Sequence, residues 1–156
     1  MSVLTIVTKG TPVLHQRAAE VDPKEIATPV FQKLIADMVE TMYAAKGVGI
    51  AATQIGKGLR IFIAESPEGP IAMVNPVFVK KSAAMANDQE GCLSIPKKYD
   101  DVMRHKSVTI KALSADGKPV QFTAHGMFAR ILQHELDHLD GKLYVDRIAE
   151  QRELKP

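Results

Sequence analysis

Five consecutive residues, His134-Glu135-Leu136-Asp137-His138, set two imidazoles four positions apart in a segment whose apolar residues recur at helical spacing. Those apolar residues are Met127, Phe128, Ile131, Leu132, Leu136 and Leu139. On a helix, positions four apart share a face, so both rings can reach one cation, with Glu135 beside them. His134 and His138 continue the face that carries Met127 and Ile131, and two unpaired histidines buried there would be costly. The pattern therefore calls for an interior helix, from about Gly126 to Leu139 with Gly141 as terminator, facing whatever completes the site. The bland alternative is a solvated face on which His and Glu fall at this spacing by chance.

Two histidines leave a metal site incomplete. Residues 134 to 144 read HExxHxxGxxY, so the histidine that would complete a metzincin-type site is replaced by Tyr144. Cys92, the sole cysteine, lies in Glu90-Gly91-Cys92-Leu93-Ser94 and cannot form an internal disulfide. Alone it would read as an inert buried thiol. Beside a histidine pair that lacks a third ligand it becomes the natural candidate. A Cys/His/His set leaves one position open for water, and such nitrogen and thiolate donors suit iron, cobalt, nickel or zinc.

The remaining chain reads as one domain, 1–156, with no repeat or linker. Apolar pairs at Val30/Phe31, Leu34/Ile35, Met38/Val39 and Met42/Tyr43 predict a helix over 29–45 with one buried stripe, Thr28 as cap, Pro29 at the first position and Gly47 ending it in a left-handed turn. Leu59–Ile63, Ala72–Val74, Val77–Val79, the alternation Val108, Ile110, Ala112, and Val120–Phe122 after an Asp116-Gly117 turn read as strands. Strands grouped between two helices predict an α+β fold with antiparallel sheet. With 20 basic and 18 acidic residues spread along the chain, no dense phosphate-binding patch is present, and specific nucleic-acid binding is not expected. No stretch is long and apolar enough to span a bilayer, so no membrane association is expected and the location is read as cytoplasmic.

A third segment, Gly47-Val48-Gly49-Ile50-Ala51-Ala52-Thr53-Gln54, is ambiguous alone, because its glycines fit a helix terminator and a tight bend. Taken together, GVGIAATQ, EGCLS and HELDH stand in the order and approximate separation of the three motifs of peptide deformylases of the bacterial type, which this sequence closely resembles from Ile6 to Ile148. The resemblance implies antiparallel sheets packed around a central HExxH-bearing helix, with the N-terminal helix outside. It implies hydrolysis of the formyl group from formylmethionyl peptides and nascent chains, releasing formate. It also implies one divalent metal ion, typically Fe2+ with Zn2+, Ni2+ or Co2+ as substitutes, held by Cys92, His134 and His138.

By the same resemblance, Glu135 accepts a proton from the attacking water and returns it to the departing amine. The Gln54 amide and the Leu93 backbone N–H stabilise the formyl oxygen. Val48, Gly49 and Gly91 bind the substrate backbone, and Val48, Met127, Arg130 and Ile131 form the methionine pocket. Arg104 is expected to pair with Glu90 in support of the ligands. Met103 stands where many relatives have proline, and His15, His105 and His125 are read as surface or capping residues. Some relatives dock on the ribosome through a longer C-terminal helix, whereas here Ala149 to Pro156 follow Ile148, so ribosome contact is expected to be transient.

Other readings use the same residues. A related amidase could take another small acyl group, and a noncatalytic protein of this type could bind metal or a nascent chain without turnover. A closed structural site would need a fourth protein ligand, for which no second cysteine exists.

Overall fold

The computed structural model describes residues 2–154. Helix α1 spans Pro29–Ala44, and the Thr28 side chain accepts a hydrogen bond from the Phe31 N–H at 3.3 Å, capping its first turn. Phe31, Ile35, Met38 and Met42 form its buried stripe, while Val30 and Tyr43 face solvent. The helix ends differently from expectation: Lys46, at φ 58°, is the left-handed residue. The Lys46 N–H bonds the Tyr43 carbonyl and the Gly47 N–H bonds the Met42 carbonyl, which is the Schellman pattern. Gly47 is required for another reason, since a Cβ there would lie 2.9 Å from the Leu93 side chain.

Strands β1 (Gly49–Ala51), β2 (Ile61–Ser66) and β3 (Gly69–Lys81) follow, and β6 (Ser107–Leu113) and β7 (Pro119–His125) complete an antiparallel sheet in the order β1-β2-β3-β6-β7. The two runs expected on either side of Pro76 are one strand, β3, with its register shifted at Asn75, whose φ is 51°. A bulge tolerates proline within a sheet. The Asn75 amide also pairs with both backbone groups of Val21 at 2.8 Å. The Asp116-Gly117 turn sits within a loop from Ser114 to Lys118.

A second, two-stranded sheet joins β4 (Met85–Cys92) to β5 (Ile95–His105), and sequence patterning did not identify it. Its residues are largely polar and its outer faces exposed, so no apolar alternation marks it. Helix α2 spans Gly126–Leu139, and α3 spans Tyr144–Glu153.

At β1, β2 and the middle of β3 the first sheet is buried on both faces. Ile50, Ile61, Ile63 and Val74 meet α1, while Ala51, Phe62, Ala64 and Met73 meet α2 through Ala129, Leu132, Leu136 and Leu139. The alternation is the two-residue period of a strand, which gives each helix its own core. On its other side α2 meets the β4–β5 hairpin, against which α3 packs with Leu143, Tyr144 and Ile148. The architecture is α+β, with sheets on two sides of α2 and α1 outside. Gly141, at φ 76°, closes α2, and a Cβ there would lie 2.9 Å from backbone atoms of His15 and Gln16. No helix among the described residues is long and apolar enough to cross a membrane.

Candidate metal centre

Three residues converge where the hairpin meets α2. Cys92 ends β4, His134 and His138 lie one turn apart on α2, and their ligand atoms all lie within 4.8 Å of one another. The Cys92 Sγ is 3.3 Å from His138 Nε2. His134 Nδ1 meets Glu90 Oε1 at 2.8 Å, which fixes the ring and leaves Nε2 for the cluster. This donor set fits a divalent transition metal: one soft thiolate, two imidazoles, and a cleft on the open side.

Glu90 is itself held from several directions. Arg104 grips it with Nε at 2.8 Å and Nη2 at 2.9 Å, and Arg130 Nη1 adds a third guanidinium contact at 2.7 Å. Arg104 also reaches Asp137 at 2.5 Å, and Arg147 of α3 pairs with the same Asp137 at 2.7 Å. The pairing of Arg104 with Glu90 agrees with the sequence reading. The parts of Asp137, Arg147 and Arg130 in this network were missed, because residues far apart in sequence meet only through the fold. Asp137 points away from the ligand cluster and serves Arg104.

The network fixes protonation. Burial opposes ionisation of Glu90, but hydrogen bonds from Arg104 and His134 override it and hold the carboxyl well below its usual range. Burial also disfavours the His134 cation, yet hydrogen bonds to Cys92 and Glu90 push this ring up to about 10. His138, fully buried and near positive charge on His134 and Arg104, is pushed well below its ordinary value and stays neutral.

Glu135 lies against β1. A Cβ on Gly49 would fall 2.5 Å from Glu135 Oε1, so glycine is what lets β1 approach the carboxylate. Burial, with the negative Glu90 nearby, raises the Glu135 carboxyl to about 7, despite His134 acting the other way. Its Oε2 is buried with no hydrogen-bond partner. Gln54, after β1, accepts from the Ala51 N–H at 2.9 Å through Oε1, which turns its amide nitrogen toward Cys92 Sγ at 3.5 Å and Ser94 Oγ at 3.2 Å. Ser94 was not anticipated. Tyr144, which stands where a third histidine was sought, stacks on the His134 ring with centroids 6.2 Å apart.

A cleft of about 630 Å³ opens over this cluster. Val48, Gly49, Gly91, Leu93, Met127 and Ile131 line it, with Glu135 and His134 at its floor. Val48 and Met127 are exposed there, as free apolar walls. Arg130 also lines it, but its guanidinium is committed to Glu90 and to the Val102 and Ala86 carbonyls, both at 2.8 Å. The pocket therefore meets the flank of this side chain while its charge clamps α2 to the hairpin. His15 Nε2 accepts from the Gly10 N–H at 3.1 Å, and His105 and His125 lie outside the cluster.

Comparison with known proteins agrees along nearly the whole chain. A family model described as polypeptide deformylase matches residues 3–153. The peptide deformylase of Pelotomaculum thermopropionicum is 44% identical over 156 residues, covering 100% of this chain and 98% of that one. Among solved structures, a class I type b peptide deformylase from Acinetobacter baumannii with bound actinonin is 37% identical at a TM-score of 0.90, covering 94% of this chain and 99% of the other. The Thermotoga maritima peptide deformylase is 36% identical at a TM-score of 0.90, covering 94% and 98%.

Proposed function

The chain belongs to the polypeptide deformylase family, metal-dependent hydrolases that remove the N-terminal formyl group from nascent peptides, and we propose that it does so with Cys92, His134 and His138 as metal ligands and Glu135 as proton carrier. The observation that carries this reading is the convergence of one thiol and two imidazoles within 4.8 Å, with Cys92 and His134 lining an open cleft. When bound, the cation acidifies a water and polarises the formyl carbonyl.

The chain's own groups do the rest. Glu135, poised at about 7 by burial, takes the proton of the attacking water and hands it to the amine as the carbon–nitrogen bond breaks, leaving formate and a free α-amine. The Gln54 amide, oriented by Ala51 and Ser94, donates to the formyl oxygen together with the Leu93 N–H as negative charge grows there. Gly49 and Gly91 admit the substrate backbone, and Val48, Met127, Ile131 and the Arg130 flank enclose the methionine side chain. The similar Acinetobacter enzyme binds actinonin, which supports a ligand-binding role for this fold.

The metal we propose is ferrous iron, with zinc, nickel or cobalt able to replace it, since the donor set suits all four. One catalytic domain, a cytoplasmic location that keeps the ligand thiol reduced, and transient contact with the ribosome complete the reading. Metal analysis tests the site directly: anaerobically prepared protein should hold one equivalent of iron, and Cys92→Ala or His138→Ala should hold almost none. Full retention in both variants would contradict the ligand assignment.

A further inference from the structure

The lips of the cleft carry charge that the hydrolytic machinery does not use. Lys46 stands at the end of α1 on one wall, and Lys97 and Lys98 stand on β5 on the opposite wall; all three line the cleft and are exposed. Among the described residues none of the three forms an ion pair or a side-chain hydrogen bond. The acids of the lining, Glu90 and Glu135, lie buried at the floor, and two guanidinium groups and His134 already neutralise Glu90. Glu65, whose N–H donates to the Val48 carbonyl, is not part of the lining, and its carboxylate accepts the Tyr43 hydroxyl. The mouth is therefore positive where a substrate enters.

Two of these lysines stand at unusual backbone positions. Lys46 and Lys97 adopt φ 58° and 61°, a left-handed conformation that residues other than glycine adopt infrequently. Strand β1 is an edge strand, hydrogen-bonded to β2 on one side with its other side unpaired within the sheet. A peptide added there advances about 3.4 Å per residue. With the formyl carbon at Glu135 and methionine in its pocket, the second and third residues reach the lips of the cleft.

We propose that Lys46, Lys97 and Lys98 select among formylmethionyl peptides, favouring those with acidic side chains in the two positions after methionine. The proposal rests on the deformylase reading above and adds to it a substrate class. Lysines on two walls cover both directions in which alternating side chains point, so neither position escapes the field. Exposed charge pairs are individually weak, each changing affinity by up to about fivefold, so the preference is a summed one and fades as salt screens it. Opposite charges also speed encounter, so selectivity falls on kcat/KM more than on kcat.

The test compares formyl-Met-Asp-Glu, formyl-Met-Asn-Gln and formyl-Met-Lys-Lys at low and high salt, following formate release by iron-loaded enzyme. Dissociation constants for the same peptides are measured on metal-loaded Glu135→Ala protein, which leaves them intact. The acidic peptide should exceed the basic one by about tenfold or more in kcat/KM at low salt, and the ratio should shrink at high salt. In Lys46→Glu/Lys97→Glu/Lys98→Glu protein the ratio should invert. Equal use of acidic and basic peptides, or an acidic preference that survives the triple substitution, would overturn the proposal. Absence of formate from all three peptides would defeat the deformylase reading, and the affinity ranking would still decide the role of the lysines.

Discussion

Gly49 and Glu135 show how a single missing side chain can decide whether a carboxylate is usable. The backbone of β1 passes so close to Glu135 that a methyl group would need the 2.5 Å position beside Oε1. Gly49→Ala must push the carboxylate aside, while β1 retains its pairing with β2. We expect formate release to fall by about a hundredfold, since displacement of a reacting group by an ångström has that effect. Metal content should be unchanged and the melting temperature little moved. Near-normal turnover in this variant would show that Glu135 need not sit where the fold holds it. At this scale the sequence was informative about chemistry: the histidine pair, Cys92, Glu135 and Gln54 all stand in the three short motifs. It was less informative about partners. The family resemblance placed Arg130 in the substrate pocket, and the fold adds that while it lines the cleft its guanidinium is turned to Glu90. Likewise Gly47 looked like the left-handed helix end, whereas Lys46 takes that conformation and Gly47 makes room for Leu93.

Among the elements, α2 and the β4–β5 hairpin matter most, because the three proposed ligands are divided between them. What joins the two beside the ligands is ionic: Glu90 on β4 and Arg104 on β5 meet Arg130 and Asp137 on α2, nearly all of it out of water. Arg104→Met would leave two buried carboxylates short of a partner. The expected loss is about 3–5 kcal/mol of stability, read by denaturant unfolding, because the surviving charges keep their desolvation cost. The same variant should release its metal faster to a chelator, since Glu90 then no longer holds His134 as firmly. A variant as stable and as retentive as the parent would show that the network is incidental. The hairpin was the element least legible in the sequence. Asn87, Asp88, Gln89, Asp100 and Asp101 give it a polar face toward solvent, and its inward side mixes a few apolar residues, Ile95 and Val102, with the charged Glu90 and Arg104 that satisfy one another. Apolar periodicity cannot report a strand stabilised this way. Helices α1 and α2 were legible because each buries an apolar stripe and carries its own end signals, Thr28 and Gly141.

For the whole molecule, the arrangement of layers explains why the cleft lies where it does. The five-stranded sheet has α1 on one face and α2 on the other, and its β1 edge runs beside the ligand cluster, facing the hairpin across the gap. In the proposed reading, a substrate entering that gap would meet a strand edge for its backbone, an apolar slot for methionine and the reacting groups at the floor. One site could then serve nascent chains of many sequences, with main-chain pairing giving affinity and one pocket giving selectivity. The α+β class followed from the grouping of strands between helices, whereas sheets around α2 were expected only from the family resemblance, because no apolar pattern marks β4 and β5. The account stands most directly on one assay: formate release from formyl-Met-Ala-Ser by anaerobically purified protein loaded with iron, nickel or zinc, beside acetyl-Met-Ala-Ser and a Glu135→Ala variant. It predicts rapid, metal-requiring release from the formyl peptide, little use of the acetyl peptide, and a drop of at least about a hundredfold in the variant with metal still bound. One equivalent of bound metal with no formate released in any form, or full activity without Glu135, would contradict it.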